Sequence, residues 1–107
     1  PGVLKNAIDW ASRSENKQPN PLNLKPLAII GAGNRGGTVR AQTHLRQVAS
    51  HLNMLVINKP EVLISMVPKQ VFDEDKNLTD QTAIDLMRQL LQNLVDFTRQ
   101  QNLPNTD

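Results

Sequence analysis

Residues 31–37, Gly31-Ala32-Gly33-Asn34-Arg35-Gly36-Gly37, form the one stretch whose residue types and spacing point directly to chemistry. Its first six residues satisfy G-x-G-x-x-G, directly after a short apolar run and directly before an amphipathic one. Glycine at these positions leaves bare backbone, so a pyrophosphate can come close, and the helix that starts just beyond adds N–H donors. A dinucleotide site of this kind also needs an acidic residue about 20 residues on, at the end of the next strand, to hold a ribose hydroxyl. Here that strand ends Ile57-Asn58-Lys59, and the nearest acid, Glu61, comes after a proline. The second half of such a site is therefore lacking. A glycine turn that only permits a tight strand-to-helix connection is the alternative reading.

The remaining polar residues offer less. His44 and His51 share a helix face two turns apart, with no cysteine and no nearby carboxylate to complete a metal site. Ser12, Ser50 and Ser65 lack a local nucleophile signature, and Asp73-Glu74-Asp75 lacks the glycine and ligand spacing of a calcium loop. A polar helix face and a solvated turn account for them. No catalytic side chain and no metal ligand set is assigned.

Composition narrows the function classes. With 107 residues the chain is one domain at most, and its 12 Lys+Arg against 10 Asp+Glu leave a net charge of +2. The basic residues are scattered and the aromatics number only Trp10, Phe72 and Phe97, which argues against a nucleic-acid surface. The absence of cysteine excludes disulfides and thiolate chemistry and is compatible with a cytoplasmic location. No apolar run approaches the roughly 20 residues of a membrane span, and no signal-peptide pattern is present. These features point to a soluble α/β chain without membrane or nucleic-acid partners.

The elements that must position the glycine segment alternate cleanly. Val3, Leu4, Ala7, Ile8 and Ala11 mark one buried face of a helix over about residues 2–13, already under way at Pro1. That opening fits a mature terminus left by methionine removal, or a segment of a larger domain that supplies a sheet beside the helix. Pro19, Pro21 and Pro26 keep residues 14–25 as an extended loop. Leu27-Ala28-Ile29-Ile30 reads as a strand covered on both faces, with the glycine segment as the turn after it. A second helix, about residues 38–52, buries Ala41, Leu45, Val48, Ala49 and Leu52. Met54-Leu55-Val56-Ile57 breaks at Asn58-Lys59-Pro60 and resumes at Val62-Leu63-Ile64-Ser65-Met66-Val67. Thr79 is the expected N-cap of the last helix, which buries Ala83, Met87, Leu90, Leu94 and Phe97, with Ile84, Leu91 and Val95 widening the stripe. Helix, strand, helix, strand, helix implies a parallel sheet with right-handed crossovers.

Several stretches together resemble one family. They are residues 1–13 (PGVLKNAIDWASR), Lys25-Pro26-Leu27-Ala28-Ile29-Ile30-Gly31 with the glycine loop, Arg40-Ala41-Gln42 with His44-Leu45-Arg46-Gln47, and Asn58-Lys59-Pro60-Glu61. In this order and spacing they resemble the NAD(P)H-dependent FMN reductases, the flavodoxin-like group containing chromate, quinone and azo reductases. The last helix is similar only in position and pattern.

The resemblance implies a doubly wound parallel sheet of order 2-1-3-4-5, with residues 27–30 as fourth strand and the run ending near Met66 as fifth. On this reading the chain, residues 1–107, is the C-terminal part of a single flavodoxin-like domain. The first three strands, the phosphate-gripping loop and a Pro-Glu-Tyr-Asn segment at the flavin ring would precede Pro1. It further implies that Gly31, Ala32, Gly33, Asn34, Gly36 and Gly37 lie near the isoalloxazine of FMN, in a loop slightly shorter than in many relatives. NADPH or NADH would be the co-substrate and a small molecule the electron acceptor. Arg35 would offer charge to a nicotinamide cofactor's phosphate or simply be solvated. Asn6, Trp10, His44, Arg46 and Glu61 would face subunit contacts in a homodimer or homotetramer. The expected function is an NAD(P)H-dependent flavin oxidoreductase of which this stretch alone is inactive. A non-catalytic interaction module and a nicotinamide-dinucleotide domain are the alternatives.

Overall fold

The computed structural model describes residues 1–15, 18–36 and 38–103. Helix α1 (Gly2–Ala11) begins behind Pro1, whose carbonyl accepts from Lys5 N at 3.0 Å. The apolar stripe expected to be buried is present but uncovered. No residue of α1 is buried, and Val3 remains 86% exposed. Periodicity reports that a face is apolar; whether a layer lies against it depends on the rest of the sheet.

The proline-rich segment after α1 is fastened to the far end of the next helix. Asn20 accepts from Leu22 N at 2.9 Å and donates to the Leu52 carbonyl at 3.2 Å, while Leu24 N donates to the Asn53 carbonyl at 2.8 Å. It delivers the chain into β1 (Pro26–Leu27) and β2 (Ile30–Gly33). Both run parallel to later strands, β1 to β3 (Leu55–Val56) and β2 to β4 (Val62–Ser65). The run expected as one strand is thus interrupted at Ala28-Ile29 and extends three residues past Ile30. The interruption follows from the register. Leu27 pairs with Val56 and Ile30 with Val62, so residues 57–61 bulge opposite only two, and Pro60 among them has no N–H for a ladder.

Helix α2 (Val39–His51) carries the chain from β2 back to β3. Helix α3 (Gln81–Gln101) is capped by Asp80, whose Oδ2 accepts from Ala83 N at 3.0 Å. The expected cap, Thr79, instead donates its hydroxyl to the Val71 carbonyl at 3.2 Å. The segment between β4 and α3 is closed by an antiparallel bridge of Phe72 with Leu78. Asp73 accepts from Asp75 N and Asn77 N there, making the acidic run a self-bonded turn.

The core sits between β4 and α3, where Val62 and Ile64 meet Ala83, Leu90 and Val71. Along α3 the stripe is narrower than expected. Leu91 and Val95 are exposed, while Ala83 and Leu90 are buried.

Two outcomes test this account. Leu90, 1% exposed, is the largest fully buried side chain, so Leu90→Ala is expected to lower unfolding stability by about 2–5 kcal/mol in denaturant titrations; a loss below about 1 kcal/mol would contradict a core at this helix. The Asp80 carboxyl is held below its ordinary range, first by its hydrogen bond from the Lys69 ammonium and then by that from Ala83 N. A folded-state value below the unfolded one stabilises above the unfolded value, about pH 4, and that gain vanishes as pH falls through the folded value. Asp80→Asn keeps a capping oxygen but removes the charge. The variant should melt lower at pH 7 and lose less on acidification below about pH 4; parallel melting profiles down to pH 2 would refute this.

Candidate functional site

The glycine segment divides into a packed half and an open half. Gly31, Ala32 and Gly33 lie in β2, opposite Leu63, Ile64 and Ser65, rather than in a turn after it. At Gly31 the space of a side chain is already filled, since a Cβ there would stand 1.8 Å from Thr38 Oγ1 and 2.8 Å from Thr38 Cβ. This glycine therefore lets the start of α2 close onto the strand. Gln42, one turn further on, is 2% exposed. Its Nε2 donates to Thr38 Oγ1, at the N-cap of its own helix, and to the Val62 carbonyl, both at 2.9 Å, which ties α2 to β4. Among the described residues, its Oε1 is buried without a partner. Gln42 was missed from sequence because it is polar, although it falls three residues before Leu45 and seven before Ala49, on the buried stripe of the helix.

The open half is residues 34–36, at the carboxyl end of β2. Asn34, Arg35 and Gly36 are exposed. Gly36 takes φ +76°, a left-handed conformation natural to glycine, and among the described residues beyond its chain neighbours no atom lies within 4 Å of where its Cβ would be. Among the described residues, the N–H groups of Asn34, Arg35 and Gly36 donate to no backbone carbonyl. Gly37, the last of the expected contacts, lies outside the described residues. The carboxyl end of β4 lies alongside. Met66 N donates to the Gly33 carbonyl at 2.8 Å, and Ser65 Oγ reaches the Asn34 carbonyl at 3.1 Å and the Val67 carbonyl at 2.9 Å.

A second feature lies along β2 itself. Among the described residues β2 pairs only with β4, leaving its other edge free. There a groove of about 760 Å³ runs between α1 and α2, lined by Leu4, Ile29, Ile30, Ala32, Ala41 and Leu45 among others. Three consecutive residues of β2, Ile30 to Ala32, line it together with Ile29 just before them, which marks a strand edge rather than one face of a sheet.

The residues expected at subunit contacts are dispersed. Asn6 and Trp10 are exposed on α1, with the Arg13 guanidinium 4.9 Å from the Trp10 ring centre. His44 borders the groove. Arg46 Nε donates to Asn58 Oδ1 at 3.2 Å, and Glu61 pairs with Lys59 at 3.3 Å, so both attend to the bulge before β4. Asn58 is an amide engaged by Arg46, Glu61 is paired with Lys59, and Gly31 and Gly33 sit within the strand, so among the described residues no acid stands free directly after β3 to hold a ribose. Among the described residues there is no group of three His, Cys, Asp or Glu that could hold a metal, and no helix long and apolar enough to cross a membrane.

Comparison with known proteins places this geometry in context. The family model for NADPH-dependent FMN reductases matches residues 1–69. An NAD(P)H-dependent FMN reductase of Pseudomonas aeruginosa is 48% identical over 99 residues, covering 92% of this chain and 51% of that protein. An NADPH:quinone oxidoreductase of Arabidopsis thaliana is 45% identical, covering 89% and 47% respectively. Among solved structures, the flavoenzyme NAD(P)H:(acceptor) oxidoreductase FerB of Paracoccus denitrificans superposes with a TM-score of 0.75 at 29% identity, over 94% of this chain and 54% of that one. The chain spans about half the length of these relatives.

The packing role of Gly31 is open to direct measurement. Gly31→Ala is expected to cost about 1–3 kcal/mol, as overpacking does, and the cost should largely disappear when Thr38→Gly is introduced with it. Additive losses in the two variants would show that Thr38 is not what the new methyl meets.

Proposed function

The chain belongs to the NADPH-dependent FMN reductase family, and from that premise we propose that it forms the flavin-ring side of an NAD(P)H-dependent oxidoreductase acting on quinone-type or other small-molecule acceptors. The observation that carries this reading is the exposed 34–36 loop at the carboxyl ends of two adjacent parallel strands, its N–H groups uncommitted to any backbone carbonyl among the described residues. In doubly wound sheets ligands lie in the crevice outside those ends. The donor set fits FMN, because the ring's polar edge carries carbonyl and nitrogen acceptors that backbone N–H groups can satisfy.

Held against this loop, FMN would supply two-electron carrier chemistry between NAD(P)H and an acceptor. The chain's own residues bind and orient. Asn34, Arg35 and Gly36 would offer backbone donors, Gly33 and Ala32 would form the strand end beneath them, and Gly37 completes the set drawn from sequence. Gly31 supports the same loop from below by holding α2 against β2. No side chain of this chain is needed to move a proton.

The free edge of β2 and its apolar groove fit further strands of a larger sheet, in keeping with relatives about twice as long. On this reading residues 1–107 are the C-terminal part of one flavodoxin-like domain, and the phosphate of FMN is gripped by the remainder. Asn6, Trp10, His44, Arg46 and Glu61 would then face a second subunit, for which the exposed Trp10 is the most prominent candidate contact. In its native length the protein is expected to show the visible absorption of bound flavin and to oxidise NADPH or NADH with a quinone only when FMN is present. Colourless protein without FMN affinity would overturn the reading.

A further inference from the structure

We infer that Ser65 is a positioning residue, whose hydroxyl ties the loop after β2 to the segment after β4 and so fixes where the backbone of that loop sits. Ser65 is the last residue of β4 and pairs in register with Gly33, the last of β2. Beyond this pair the ladder makes one more contact, Met66 N to the Gly33 carbonyl at 2.8 Å, and then the two segments part. The serine oxygen stands where they separate, 3.1 Å from the Asn34 carbonyl and 2.9 Å from the Val67 carbonyl.

Both partners are backbone acceptors, and a serine hydroxyl has a single proton to give. The proton is shared or alternates between the two carbonyls, so a shift of either segment is felt by the other. The contrast with Ser12 is useful, since that hydroxyl donates to the Asp9 carbonyl of its own helix and joins nothing. Ser65 is only half-buried, so water can replace its bonds without leaving buried polar groups unpaired. Its loss therefore releases the loop without threatening the fold. A hydroxyl engaged as donor to two carbonyls is also placed to hold structure rather than to act as a nucleophile.

The consequence for cofactor binding rests on the flavin reading above, whereas the tie itself rests on the two hydrogen bonds alone. Asn34 opens the loop whose N–H groups are uncommitted, so whatever holds its carbonyl sets where those donors point.

The test compares Ser65→Ala and Ser65→Thr with the native protein at full length, by two readouts. Backbone order parameters from amide NMR relaxation without flavin follow residues 33–36 and 66–69, and FMN titration by flavin fluorescence gives affinity. Ser65→Ala should lower the order parameters in both segments together and weaken FMN binding roughly three- to tenfold, the range for one lost hydrogen bond. Ser65→Thr, which keeps the hydroxyl, should restore both. Unchanged order parameters in Ser65→Ala, or a change in one segment only, would overturn the tie. Lower order in both with unaltered FMN affinity would overturn its role in positioning. If the native protein binds no FMN, the flavin reading falls with the positioning role, and the order parameters still decide the tie.

Discussion

The approach of Thr38 to the bare α-carbon of Gly31 sets the geometry on which β2, α2 and β4 all depend. With α2 drawn down onto β2 at its first turn, Gln42 reaches across to the Val62 carbonyl, and its amide group then joins the helix to β4. The arrangement has a cost, because among the described residues Gln42 Oε1 is buried without a donor, a loss of about 1–3 kcal/mol for a typical polar atom. The two bonds from Nε2 offset it, and the crossover they secure is what places the carboxyl ends of β2 and β4 side by side. Everything proposed about a ligand follows from that alignment.

The glycine segment thereby separates into two jobs. Its first half is structural, paired in the sheet and covered by the helix. Its second half is exposed, with Gly36 in a left-handed conformation and neighbouring N–H groups uncommitted to backbone carbonyls. The spacing G-x-G-x-x-G describes both halves with the same letters, which is why it cannot by itself tell a pyrophosphate cradle from a flavin-facing loop. The structural difference lies in where the strand stops. Here it runs through Gly33, and the open backbone begins only at Asn34.

Much of the fold was legible in the sequence wherever periodicity and burial coincide. The three helices fall where the 3.6-residue stripes place them, and the apolar runs give parallel strands. Failures occurred where a partner decides the outcome. The stripe on α1 is apolar and yet open, because stripes do not reveal whether a covering layer is present. The strand break at Ala28-Ile29 depends on a bulge some 30 residues away, through the register from Leu27–Val56 to Ile30–Val62. Asp80 displaced Thr79 as the cap because Lys69 and Ala83 both favour its carboxylate. At the candidate site, Gln42 and Ser65 carried no motif, and only the meeting of distant segments shows what their polar atoms join.

The central claim is that the loop following β2 receives the flavin ring in a reductase of this family. A crystal structure of the native-length protein with FMN tests it most directly. The account predicts the isoalloxazine against residues 34–36, accepting hydrogen bonds from their backbone N–H groups. A ring bound elsewhere, with that loop still open to solvent, would contradict it.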